Sequence, residues 1–133
     1  MRLFVDTSAF LALEDRSDRC YPKATDFYEK LTPRERLWTS SYVLDETITR
    51  LRYTLGHGPA VQFAEIFLAS KLFHRVYVDA DLERAAIGVL KKYKDKKLSF
   101  TDCITVAILH AEKLDGVFAF DEDFRSLGFQ VFP

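Results

Sequence analysis

The sequence predicts an α/β fold built from parallel βα units, and three observations carry that prediction. Short apolar runs at residues 3–5 and 117–120 have the composition of buried parallel strands. Stretches with apolar residues at helical spacing alternate with such runs. Turn and capping residues stand at the joints, above all Asp6-Thr7-Ser8 and Ser99-Phe100-Thr101-Asp102.

The elements follow in order. Leu3 to Val5 reads as a strand, and Asp6-Thr7-Ser8 can cap a helix beginning with Ala9 to Leu13. A second helix starts at Tyr21-Pro22, carries Ala24, Phe27, Tyr28 and Leu31 inward, and stops before Pro33. Leu37 to Thr39 is a short second strand. Leu44, Thr47, Ile48, Leu51 and Leu55 form one helical face, closed by Gly56-His57-Gly58-Pro59. The next helix runs from Ala60 with Ala64, Phe67 and Leu68 inward, and Arg75 to Val78 reads as the third strand. Asp79 or Asp81 caps a helix with the clearest apolar stripe: Leu82, Ala85, Ala86, Val89, Leu90 and Tyr93. Ile104, Ala107, Ile108 and Ala111 mark one more helix, and Asp115-Gly116 turns out of it. Strands at residues 117–120 and 129–132 complete the count.

A length of 133 residues suits one domain, residues 1–133, and no repeat or linker divides it. Apolar residues make up 48% and charged residues 29%, which excludes a disordered chain. The net charge of −1 carries no bulk attraction for nucleic acid, so any such contact must come from a local patch. Cys20 and Cys103 have neither disulfide-framework nor zinc-motif spacing, and Cys103 reads as a small buried thiol. No apolar run has the length of a secretory leader or a membrane span, so the expected location is cytoplasmic.

The chemistry points to carboxylates. Asp6 follows the first strand, Glu46 lies in Val-Leu-Asp-Glu-Thr, Asp102 opens a helix, and Asp121 follows Val-Phe-Ala-Phe with Asp123 close behind. Each has an ordinary explanation taken singly. Asp6 can be a helix cap, and Asp102 can complete a capping box with Ser99. Glu46 can pair with Arg50 one turn on, and Asp121 and Asp123 can cap a short turn. As a set they fall on one rim, at the carboxyl ends of the strands, where open α/β sheets form their sites. Carboxylates gathered beside apolar runs need a cation, and oxygen ligands without His or Cys select Mg²⁺ or Mn²⁺.

Other chemistries are absent. His57, His74 and His110 lack metal-ligand spacing, Ser8, Ser40 and Ser41 lack a nucleophile elbow, and no glycine-rich phosphate loop exists. The lysines at 91, 92, 94, 96 and 97 read as a solvated helix end, yet they lie just before the Asp102 segment. Lys96, Lys97, Arg50 and Arg52 are therefore candidates for phosphate-backbone contact.

The succession Phe-Val-Asp-Thr-Ser-Ala-Phe, Val-Leu-Asp-Glu, Leu-Ser-Phe-Thr-Asp-Cys and Phe-Asp-Glu-Asp-Phe spans nearly the whole chain. It resembles the PIN-domain ribonucleases, most closely the small VapC-type toxins. The resemblance implies a three-layer α/β/α sandwich around a mainly parallel five-stranded sheet. It makes Asp6, Glu46, Asp102 and Asp121 the catalytic acids and metal ligands, with Asp123 as an accessory ligand and Asp45 as a lesser alternative to Glu46. It makes Thr7 or Ser8 the small hydroxyl residue beside the metal. Ala119 departs from the pattern, standing where the family often has Thr or Ser. The implied activity is Mg²⁺- or Mn²⁺-dependent hydrolysis of RNA, and the implied partners are an antitoxin and a second copy in a homodimer. The alternatives are a non-catalytic domain of the same fold and a Mg²⁺-dependent phosphatase or phosphoacceptor. The last two fit poorly, because Asp6 is followed by Thr7 and Ser8 rather than by a second acid.

Overall fold

A computed structural model describes residues 1–133. The chain runs β1 (Arg2–Val5), α1 (Thr7–Glu14), α2 (Tyr21–Glu29), β2 (Arg36–Ser40), α3 (Ser41–Thr54) and α4 (His57–Ala69). It continues β3 (Phe73–Val76), α5 (Ala80–Lys92), α6 (Phe100–Ala111), β4 (Gly116–Phe118), α7 (Glu122–Ser126) and β5 (Val131–Phe132). The five strands form one sheet in the order β3-β2-β1-β4-β5, and every pairing is parallel.

Strand β1 is central, and Leu3, Phe4 and Val5 are almost wholly buried. A strand covered on both faces has no solvent side, which is why its sequence is continuously apolar instead of alternating. From β1 the chain steps outward to β2 and β3 through α1–α4, then returns past β1 to β4 and β5 through α5–α7. Right-handed crossovers put these two sets of helices on opposite faces, giving three layers.

Each layer has its own anchor. On one face, Phe10 of α1 meets Phe63 and Phe67 of α4 with ring centroids 5.7 Å apart in both cases. It also meets Phe73 of β3 at 5.5 Å. Each such ring contributes about 2–3 kcal/mol through its buried area. On the other face, α6 is buried continuously from Cys103 to Leu109, the mark of a helix covered all round. At the β4 edge Gly116 is required by close approach, since a Cβ there would lie 2.6 Å from the Gln130 carbonyl oxygen of the neighbouring chain segment.

Several expectations need correction. The third strand is Phe73–Val76, two residues earlier than expected, and β4 stops at Phe118. Asp121 therefore follows its strand after two intervening residues, Ala119 and Phe120. The apolar stripe of α5 is only partly inward: Ala86 is buried, but Ala85 and Leu90 are exposed. Leu68 of α4 and Ala111 of α6 also face solvent.

The direction of the connections reverses between β1 and β4. A crevice at such a reversal, beyond the carboxyl ends of the strands, is where this class of sheet places its sites. Asp6 leaves β1 there, and the segment carrying Asp121 and Asp123 leaves β4 beside it.

Candidate metal centre

Asp6 is the N-cap of α1. Its amide donates to the Phe118 carbonyl at 3.0 Å, extending the β1–β4 ladder by one bond. Its carboxylate Oδ2 accepts the Ser8 amide at 3.1 Å and the Ser8 hydroxyl at 2.7 Å. With 4% of its surface exposed, the group is desolvated. Burial pushes its pKa up to about 6 against the opposing bonds from Ser8 and Thr7, and the nearby charge of Asp121 adds to the rise.

Asp102 is the third residue of α6. Its Oδ2 accepts the Ser99 amide at 3.1 Å while the Ser99 hydroxyl accepts the Asp102 amide at 3.0 Å, the reciprocal box expected from the sequence. Burial first, then the charges of Asp6 and Asp121, together raise its pKa to about 6 against the opposing Ser99 bonds. Capping and site membership thus coexist in one carboxylate.

Asp121 caps α7, with Oδ1 accepting the Asp123 amide at 2.9 Å. That bond folds the chain back so that both acids face the same space. Burial and the Asp121 carboxylate both push Asp123 upward in pKa. One carboxylate oxygen from each of Asp102, Asp121 and Asp123 lies within 4.8 Å of the other two.

The structure thus gathers Asp102, Asp121 and Asp123 most tightly, with Asp6 beside them through its electrostatic coupling to Asp102 and Asp121. Asp123, the accessory in the sequence reading, belongs to the tight group. Glu46 stands outside it, half-buried on α3, and the exposed Asp45 is its neighbour on the same helix. The Glu46–Arg50 ion pair offered by spacing does not form: the ion pairs are Met1–Glu35, Lys30–Asp26, Arg84–Asp81 and Arg125–Glu122.

Of the small hydroxyl residues, Ser8 contacts an acid directly. Its oxygen donates to Asp6 and accepts the Phe120 amide at 3.0 Å, tying the end of β1 to the segment after β4. The Thr7 hydroxyl is buried without a hydrogen-bond partner. Lys96 reaches α7 through a 3.4 Å contact with the Ser126 hydroxyl, and its charge bears on Asp123. Lys97 is exposed in the same α5–α6 connection.

This donor set fits a hard divalent cation. It is entirely oxygen, Asp6 and Asp102 are desolvated, neighbouring acids repel one another, and none is neutralised by an ion pair. Sequence reasoning missed Arg19, which joins Arg50 beside Ser8 and Phe120 in a cleft next to the acids. The only signal was its place in the polar stretch Asp-Arg-Ser-Asp-Arg-Cys.

Comparisons with known proteins bear on the family and the fold. The PIN domain family matches residues 3–130. The 23S rRNA-specific endonuclease VapC20 of Mycobacterium tuberculosis is 35% identical over 127 residues, covering 96% of this chain and 95% of that protein. The crystal structure of VapC20, described as a sarcin–ricin loop cleaving toxin, superposes with a TM-score of 0.91 at 32% identity over 98% of this chain and 99% of the other. A VapC ribonuclease of Archaeoglobus fulgidus is 36% identical over 80 residues, 59% of this chain and 50% of that protein. VapBC2 of Rickettsia felis, solved on a promoter DNA fragment, shares the fold with a TM-score of 0.73 at 14% identity, covering 100% of both chains. The chain belongs to the PIN-domain family, among its VapC-type members.

Proposed function

We propose that residues 1–133 act as one domain, a divalent-metal-dependent endoribonuclease that serves as the toxin of a toxin–antitoxin pair. The observation that carries the reading is the approach of Asp102, Asp121 and Asp123 to within 4.8 Å, with no ion pair neutralising them, at the reversal point of the sheet. The kinship with VapC20 supports RNA as substrate and makes large-subunit ribosomal RNA the first target to test.

In this mechanism Asp102, Asp121 and Asp123, with Asp6 alongside, would hold Mg²⁺ or Mn²⁺. Such an ion lowers the pKa of a bound water and neutralises charge on phosphate oxygens. The chain's own residues do the rest. Ser8 holds Asp6 in place, and Ser99 does the same for Asp102. Glu46 orients the attacking water and takes its proton as the new oxygen–phosphorus bond forms. The bond from phosphorus to the 3′-oxygen breaks and that oxygen is protonated from solvent, leaving a 5′-phosphate and a 3′-hydroxyl. Arg50, Lys96 and Lys97 hold the RNA backbone.

The proposed setting is the cytoplasm, with an antitoxin that masks the site and a second copy in a homodimer. No helix is long and apolar enough to cross a membrane. The central test is incubation of the purified protein with intact ribosomes and with total RNA, with Mg²⁺ or Mn²⁺, followed by mapping of the new ends. Discrete cuts with 5′-phosphates, lost in Asp6→Asn, are expected. Uncut RNA from metal-replete wild type would sink the proposal.

A further inference from the structure

A cleft of about 220 Å³ opens beside the carboxylates, where the α1–α2 loop, α3 and the segment after β4 meet. Ser8 and Phe120 line it, and both belong to the metal centre's frame: Ser8 donates to Asp6, and Phe120 precedes Asp121 and donates its amide to Ser8. Arg19 from the loop and Arg50 from α3 line its walls.

Neither guanidinium is engaged. The molecule's ion pairs involve other residues, and the side-chain hydrogen bonds donated by cations come from Arg2, Lys30, Arg84 and Lys96. The one acid in the cleft, Asp18, is occupied as a loop organiser: its Oδ1 accepts the Cys20 amide at 2.8 Å. Two free cations against one committed carboxylate favour an anionic ligand, and a guanidinium suits phosphate by its fork of donors. The aromatic component is also in place. The Phe120 ring is half-buried and held edge-on against Phe118, with centroids 6.1 Å apart, so it offers a fixed apolar surface at the cleft.

We propose that this cleft is a nucleotide subsite for the RNA strand, in which Arg19 and Arg50 bind the phosphate neighbouring the scissile one and Phe120 supports the attached base. The proposal rests on the ribonuclease reading and adds a direction to it. Arg19 and Arg50 come from the α1–α4 layer, whereas Lys96 approaches the acids from the α5–α7 layer. The strand therefore crosses the carboxylates from one helical layer to the other. Base stacking on an aromatic ring is tolerant of sequence, so the subsite adds affinity and register more than base choice.

The test uses a fluorescein-labelled single-stranded oligoribonucleotide of mixed sequence, with binding followed by anisotropy in an Asp6→Asn background with Mg²⁺. Adding Arg19→Ala and Arg50→Ala together should weaken binding about tenfold or more and reduce the slope of log K against log salt by about one. Arg34→Ala, an exposed arginine in the α2–β2 connection, should change neither. Phe120→Leu should weaken binding without altering the salt slope, and Phe120→Trp should restore it. An unchanged melting temperature for each variant shows that folding is intact.

Unchanged RNA binding in the double arginine variant would overturn the subsite, whether or not wild type cleaves RNA. Binding that depends on both arginines, in a protein whose wild type cuts no RNA, would overturn the nuclease reading and leave the subsite standing. Absence of any RNA binding would overturn the subsite as well.

Discussion

Asp6 and Ser8 are joined by two hydrogen bonds, amide and hydroxyl both meeting the same carboxylate oxygen at 3.1 and 2.7 Å. The hydroxyl also accepts the Phe120 amide, so one side chain holds an acid and the chain leading to another. This bridge supplies a connection at the corner where Ala119 offers no hydroxyl. Ser8→Ala should leave the Phe120 amide unsatisfied and remove the shorter of the two bonds on the Asp6 carboxylate, leaving it held by the backbone amide alone. The expected result is a stability loss of about 1–3 kcal/mol and a 10- to 100-fold weaker metal response, on the order seen for groups that orient ligands. Urea unfolding measures the first, and Mn²⁺ titration by thermal shift measures the second. Wild-type metal affinity in Ser8→Ala would deny the bridge a positioning role.

The burial of Asp6 has a consequence for metal-free protein. Its folded pKa, about 6, lies above the ordinary aspartate value of 3.8. Between those values the native state binds more protons than the unfolded state, so stability falls as pH rises through that window and levels off above about 6. A shift of about two pH units corresponds to roughly 3 kcal/mol at most. Asp102 acts in the same direction. Asp15 and Glu35, held low by Ser17 and Thr32, act in the opposite sense at acid pH. The comparison that isolates Asp6 is wild type against Asp6→Asn, both in chelator. The variant should gain stability relative to wild type as pH rises from about 3.5 to about 6.5, by up to about 3 kcal/mol, and the gain should level off above that. A difference that stays flat with pH would contradict the desolvated carboxylate.

Much of this arrangement was legible in the chain. Capping chemistry at Asp6 and Ser99 located two helix starts, and continuous apolar runs located the central strands. What escaped was contact between distant residues. The end of β4 is set by the Phe120 amide, which bonds the hydroxyl of Ser8, 112 residues away, and no periodicity reports that. The apolar stripe of α5 marks a face but not its cover, and Ala85 and Leu90 remain exposed. Arg19 gained meaning only when the loop placed it beside Arg50. Asp123 was legible as a neighbour of Asp121, while its place in the tight group follows from the turn that Asp121 caps.

The three clustered acids should act as a unit toward metal. Mg²⁺ or Mn²⁺ should raise the melting temperature of wild type, because an ion bound only by the native state stabilises it by mass action. At a concentration a hundred times the dissociation constant the gain is about 2.7 kcal/mol. Asp102→Asn combined with Asp121→Asn should abolish this response while removing repulsion, so the metal-free double variant should unfold at or above the wild-type temperature. Differential scanning calorimetry with and without metal checks both parts. A double variant that still responds fully would place the ion elsewhere.

Glu46 offers the sharpest separation of roles, because it is an acid of the proposed site outside the group of three. If it orients water instead of anchoring the ion, its loss should spare binding and cost chemistry. Glu46→Gln keeps the volume and the hydrogen-bonding shape but cannot take a proton. Its metal-induced thermal shift should stay close to wild type, while the cleavage rate under saturating RNA should fall by about 10²- to 10⁴-fold, the usual range for a positioned general base. Arg50, one helical turn further on the same face, would still meet the RNA, so KM should move little. Single-turnover cleavage beside a Mn²⁺ titration separates these outcomes. Loss of the metal response in Glu46→Gln would make Glu46 a ligand, and an unaltered rate would remove it from the chemistry altogether.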